Sequence, residues 1–319
     1  MQDLPQIPVT HLAIPVFALG MLIEFAVSRI RNTASYETRD TLVSVSTAIV
    51  GSFGGLSVGA AYTGVLMFFY QYRAFDLEFS WGLLAICFLL DDFKYYWMHR
   101  IEHRVRWAWA SHVNHHSSQH YNFSTAMRKT WTFPLTGLFL LSVPLVLFGF
   151  HPAMVALCIG LNLVYQFFVH TQMIGKLPGW YEAIMNTPSH HRVHHATNPK
   201  YLDANYAGTF IVWDRMFGTF VPEDAAEPCD YGIVKNLDTF NIITVIFHEW
   251  AALLRDVTRR DLGFRDRLGY MFLPPGWSHD GSRQTTDMIK LQHVRSNPEV
   301  AGQPGLPSIV PGLQAPPAE

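Results

Sequence analysis

An all-α, integral-membrane fold of four to five transmembrane helices, carrying a histidine-rich cap, is the architecture this sequence predicts, on three observations. Hydrophobic residues make up 49% of the 319 and charged residues only 15%, well under the roughly 25% of ordinary soluble domains. Five apolar stretches, residues 11–27, 42–70, 79–97, 131–150 and 153–169, approach or exceed the ~20 residues with which a helix crosses a hydrocarbon core of ~30 Å. Sixteen histidines are present, and twelve of them fall between His99 and His195.

The first stretch has no basic leader and no small-residue cleavage site, so it reads as an anchor rather than a signal peptide. The second carries several glycines and is longer than one span requires, which fits either one tilted helix or a broken one. The fourth and fifth form a tight hairpin around His151 and Pro152. Buried helices of a soluble bundle are the competing reading of these stretches. Basic residues cluster after the first span (Arg29, Arg31, Arg39) and after the third (Arg100, Arg104, Arg106, Arg128, Lys129), while the hairpin has none. The positive-inside rule therefore expects an outside amino terminus, with residues 98–130 and the chain beyond 170 on the cytoplasmic side. After residue 200 the chain turns polar. Residues 237–256 are expected as an amphipathic helix along the membrane surface, and from Ser296 a Pro- and Gly-rich tail is expected to be disordered.

A net charge of −2 without a basic face excludes electrostatic binding of nucleic acid. Cys87, Cys158 and Cys229 are far apart in sequence, which indicates neither a disulfide framework nor a thiolate metal site. The histidines behave differently. His99 and His103 are four apart and share a helix face. His112, His115 and His116, then His191, His194 and His195, repeat a His-x-x-His-His spacing that again stacks rings on one face. Neutral imidazole is the commonest nitrogen ligand of metals. Eight such residues, with His170 at the end of the fifth span as a ninth, exceed the four of a closed structural zinc site. Two irons, with positions left open for dioxygen, are the economical reading.

His120 and His190 sit beside these motifs off their spacing and are expected either to ligate or to hydrogen-bond a ligand. His11, His151, His248, His279 and His293 are isolated and expected at surfaces. Asp91 and Asp92, near the inner end of the third span, are either functional or paired with Lys94 or Arg100. A strong oxidant for aliphatic C–H bonds cannot come from side chains, and an apolar substrate would arrive from the bilayer. A lipid oxygenase is therefore expected, ahead of a histidine-rich transporter, whose ligands would lie at mid-membrane, and ahead of a metal-binding scaffold without turnover.

The ordered set His99–His103, His112–His115–His116 and His191–His194–His195 resembles the fatty acid hydroxylase and sterol desaturase superfamily. The stretches YYWMHRIEH, WASHVNHHSSQHYNFSTAMR, NTPSHHRVHHATNP and NYAGTFIVWDRMFGTF are similar to its alkylglycerol monooxygenase branch and bacterial relatives over residues 80–222. The resemblance implies a helical membrane fold with a cytosolic di-metal cap, dioxygen as oxidant, an external electron donor or diffusible reductant, and hydroxylation of a fatty acyl chain, ether lipid or sterol, with desaturation as the alternative. Arg104 departs from that branch, whose members often carry an acidic residue directly after the second histidine, so ether-lipid specificity and a pterin reductant are not carried over. Within this core Thr187 and Ser189 are expected as helix caps, Asn186 as a cap or as the orienter of a bound water, and Asp214 as the partner of an arginine or of a ligand imidazole, with Trp213 packing beside it. The implied division is membrane helices over 1–79, a catalytic unit over 80–222, a peripheral region over 223–295 and a tail over 296–319.

Overall fold

The computed structural model describes residues 9–33 and 35–308, without the side chains of residues 53–57. Among the described residues there are helices and three isolated β-bridges but no strand. Helix α1 (Ile14–Ile30) leads to the 33-residue α2 (Thr38–Tyr70), which the Glu37 carboxylate caps by accepting from the Asp40 N–H at 2.6 Å. Helix α3 (Trp81–Arg104) opens on Ser80, whose hydroxyl oxygen accepts from the Leu83 N–H. Its 24 residues extend over about 36 Å at ~1.5 Å each, an apolar first half giving way to last turns that carry His99 and His103. Val105, extended at φ −123° and ψ 116°, ends α3 and begins α4 (Arg106–His116). That single extended residue folds α4 back against α3.

The expected fourth span is broken. Residues 133–136 and 138–142 are 3-10 turns around Gly137 at φ 74°, and the α-helix Val143–Phe148 follows. Pro134 and Pro144 lack the N–H that a continuous helix needs, and Gly137 takes a left-handed conformation that reverses the chain. The fifth span is the continuous α5 (Pro152–Val169). Among the described residues it is the one helix long and apolar enough to cross a membrane, with a mean hydropathy of 1.8; shorter apolar helices lie at Val58–Tyr70 and Leu138–Phe148. Leu66, Cys87, Val146, Met154 and Cys158 join α2, α3, the short helix and α5 in one buried cluster. Phe17 of α1 stacks on Phe167 of α5 with centroids 4.2 Å apart.

The cap is built beyond these helices. Helix α6 (Pro188–His194) sits against α5. The expected amphipathic segment is helix α7 (Ile242–Val257), whose cap is Asn241, accepting from the Thr244 N–H. Helices α8 (Phe264–Phe272) and α9 (Thr286–Ser296) follow. Arg106, almost fully buried, clamps α7 to α4 through Glu249 and Asp256, each at 2.7 Å. Beyond Ser296, where a tail was expected, the chain forms a 3-10 turn at Pro298–Val300 and buries Leu306; residues 309–319 lie outside the described residues.

Candidate metal centre

Three helices and one helix end deliver nine imidazoles to one place. Helix α3 supplies His99 and His103, α4 supplies His112, His115 and His116, the last turn of α6 and its cap supply His191, His194 and His195, and the end of α5 supplies His170. They fall into two adjoining groups whose potential ligand atoms lie within 4.8 Å of one another: His99, His103, His112, His116 and His194, then His115, His170, His191 and His195. The groups abut, with the His116 and His195 rings stacked at 4.3 Å. Seven of the nine rings are buried; His112 and His115, one from each group and 5.5 Å apart, are partly exposed and form the open side.

The proton on several rings is fixed by what the ring faces. His99 Nδ1 lies 2.8 Å from the Tyr206 carbonyl, His194 Nδ1 2.9 Å from that of Ala204 and His170 Nδ1 2.6 Å from that of Gln166. A carbonyl only accepts, so each Nδ1 carries the hydrogen and each Nε2 presents a bare lone pair. The Nε2 atoms of His99 and His116 each stand 3.1 Å from that of His112, and the Nε2 of His170 stands 3.2 Å from that of His115 and 3.0 Å from that of His191. Nitrogens at ~3.0 Å are what two neighbouring ligands with bonds of ~2.1 Å to one cation would show. His103, His194 and His195 each bury an Nε2 with no hydrogen-bond partner. Buried polar atoms without partners are rare and costly, and convergent lone pairs repel. A shared cation in each group would relieve both.

Electrostatics run the same way. Burial, reinforced by repulsion from neighbouring imidazoles, holds His99, His112, His115, His116, His191, His194 and His195 well below the usual imidazole value, and burial pushes His170 down to about 3. Neutral rings are the ligating form. Nitrogen donors without thiolate suit iron, and iron would find in each group a set that no cysteine interrupts.

His120 and His190 stand outside both groups; His190 Nε2 is 3.8 Å from a Glu182 carboxylate oxygen. The caps expected at α6 are otherwise employed. Thr187 and Ser189 hydroxyls donate to Glu182, and Asn186 Nδ2 donates to the Ala207 and Gly208 carbonyls. Asp214 takes neither partner expected of it. Its carboxylate accepts from the backbone N–H groups of Tyr206 and Ala207, both at 2.8 Å, and from the Thr219 hydroxyl. Asp91 pairs with Lys94, while Asp92 accepts from the Thr209 and Phe210 N–H groups, Asn162 Nδ2 and Trp213 Nε1. Two residues that sequence reasoning missed, Glu102 and Asp203, face Nδ1 of His112 at 3.5 Å and of His103 at 3.4 Å. Glu102 is a spacer inside the His-x-x-x-His motif and Asp203 is about 100 residues from its ring, so neither carried a spacing signal.

A sequence model of the fatty acid hydroxylase family matches residues 84–219, the stretch that holds all nine histidines. An alkylglycerol monooxygenase of Homo sapiens is 38% identical over 281 residues, covering 86% of this chain and 62% of the relative. The chain belongs to the fatty acid hydroxylase family. An alkylglycerol monooxygenase of Danio rerio is 33% identical across 95% of the chain and 66% of its own length, and a cholesterol 25-hydroxylase of Mus musculus is 29% identical across 43% of the chain and 46% of its own. The chain thus spans about three fifths of the length of the human relative. No solved structure matches it.

Proposed function

We propose that this chain is a membrane-bound di-iron oxygenase that hydroxylates an unactivated C–H bond of a lipid, be it a fatty acyl chain, an ether lipid or a sterol. The observation that carries this reading is the pair of adjoining nests of bare imidazole nitrogens. His99, His103, His112, His116 and His194 would hold one iron, and His115, His170, His191 and His195 the other. When bound, the irons would activate dioxygen into an oxidant strong enough for a C–H bond, which no side chain can do. One oxygen atom enters the C–H bond and the other leaves as water, which consumes two protons and two electrons from an external donor.

The chain's own residues do the rest. The carbonyls of Tyr206, Ala204 and Gln166 keep Nε2 of His99, His194 and His170 unprotonated and aimed inward. Burial of the other rings leaves His112 and His115 as the side from which dioxygen and a C–H bond can approach. Large apolar side chains exposed on α1 and α2, among them Leu19, Leu22, Ile23, Ile49, Val50 and Phe68, form a surface too extensive for water and suit a bilayer. On this reading the whole chain makes four to five spans, of which residues 1–79 contribute the N-terminal membrane helices, 80–222 form the catalytic unit with its histidines toward the cytoplasm, and 223–295 ride on the membrane surface. The relatives' names, alkylglycerol monooxygenase and cholesterol 25-hydroxylase, support hydroxylation over desaturation.

Metal analysis combined with oxygen uptake tests this. The expected result is close to two irons per chain, and dioxygen consumption that depends on a lipid and yields a product heavier by one oxygen. His115→Ala and His194→Ala each abolish it. Full lipid oxidation by both variants would defeat the assignment.

A further inference from the structure

The ligand groups are not held alike. In the five-histidine group, three rings take their orientation from one tight loop, residues 203–206. His103 Nδ1 faces the Asp203 carboxylate at 3.4 Å, His194 Nδ1 donates to the Ala204 carbonyl and His99 Nδ1 to that of Tyr206. These rings come from two separate helices, α3 and α6. Of the rings in the other group, His170 takes its Nδ1 contact from Gln166, within its own helix.

The loop is built to hold this shape. Asp203 and Asn205 adopt left-handed backbone angles, φ 52° and 55°, which only short polar residues or glycine tolerate. Asn205 is fully buried and fixed on every polar atom of its side chain: Nδ2 donates to the His190 and Val221 carbonyls, and Oδ1 accepts from the Val221 N–H. Asp214 anchors the far end through the Tyr206 and Ala207 N–H groups. At the near end Arg104 reaches Asp203 at 3.3 Å and is gripped by Asp287 of α9 at 2.6 and 3.0 Å. A peripheral carboxylate is thereby linked through Arg104 and Asp203 to His103.

Resting on the di-metal reading above, we propose that residues 203–206 are a positioning clamp for the five-histidine group alone, with Asp203 its deciding side chain and Asp287 its outer tether. Partners that orient ligand imidazoles typically govern 10–100-fold of metal affinity. The juxtaposition is asymmetric, so the effect falls on one ion of the two.

The test uses the full chain in detergent micelles, stripped of metal and titrated with Fe²⁺ under nitrogen, with retained iron counted after desalting and folding checked by circular dichroism. Unaltered protein retains two ions. Asp203→Ala weakens one site about 10–100-fold and retains one. Asp203→Asn keeps an acceptor oxygen toward Nδ1 and loses less. Asp287→Asn, at an exposed position, weakens the same site a few-fold and decides the matter if Asp203→Ala does not fold. Two ions held with unchanged affinity in both variants, or equal weakening of both sites, overturns the clamp. Unaltered protein that binds no metal overturns instead the reading beneath it.

Discussion

Glu102 lies within the first histidine motif, one residue before His103, yet its side chain belongs to His112, with Oε2 3.5 Å from Nδ1. Burial pushes its carboxyl up to about 8, so at neutral pH it is largely protonated until a cation draws on His112 and favours the ionised partner. Glu102→Gln preserves volume and an acceptor oxygen; Glu102→Leu preserves volume alone and leaves His112 Nδ1 without a partner in a buried place. Lipid-dependent oxygen uptake should fall less in the Gln variant than in the Leu variant, by about tenfold or more between them; equal rates would remove Glu102 from the site. The histidines themselves could be read from sequence because spacings of three and four are a local property of one helix. Glu102 could not, since it occupies a spacer position, and the carbonyls of Ala204, Tyr206 and Gln166 leave no side-chain signature at all. Asp203 needed the fold to bring a distant loop beneath the rings, and Asp214, though singled out in the sequence, showed its backbone partners only there.

At the scale of elements, the buried pair of Asp40 and Arg128 joins α2 to the segment after α4. Arg128 donates to the Asp40 carboxylate at 2.5 Å, to the Ser44 and Ser117 hydroxyls and to the Asp40 carbonyl, while the Ser118 hydroxyl also donates to Asp40. Both side chains are nearly inaccessible. Removing one partner of such a pair strands the other charge, at a cost of about 3–5 kcal/mol, whereas replacing both by apolar groups is often neutral. Asp40→Ala should therefore lower the melting temperature by several degrees, and Asp40→Ala with Arg128→Met should recover much of the loss; a double variant no more stable than the single would show that the pair is not a unit. Hydropathy located α3 and α5 well as helices, because a long apolar run kept from water satisfies its backbone polar groups most economically in a helix. It failed at residues 131–150, where composition was apolar but Pro134, Gly137 and Pro144 decided the backbone. It was equally blind to Arg106, whose two carboxylate partners arrive from α7.

For the molecule as a whole, gathering so many imidazoles in one dry place has a consequence for stability that no single residue reveals. In an unfolded chain histidines titrate near 6.5, whereas in the fold burial holds eight of the nine grouped rings below that value, His170 at about 3. Between the folded and unfolded values the unfolded chain binds more protons, so the free energy of unfolding falls as pH falls through that window. The contribution is complete above 6.5 and is withdrawn by about 1.4 kcal/mol per pH unit for each ring whose folded value lies lower still. Several rings acting together should make the slope steep. Metal-free protein in micelles is therefore expected to melt at sharply lower temperatures as pH falls from 6.5 to 5.5, the eight rings outweighing the single opposing contribution of Glu102, whose carboxyl stays protonated in the fold up to about 8. Loading with Fe²⁺ should flatten that slope, because a metal holds the rings deprotonated against competing protons. Thermal unfolding followed by circular dichroism across pH 5.5–7.5, with and without Fe²⁺, measures both effects. A metal-free melting temperature that stays level across this range would mean that the imidazoles are not gathered in a water-poor interior, and the two nests of lone pairs would lose their physical basis.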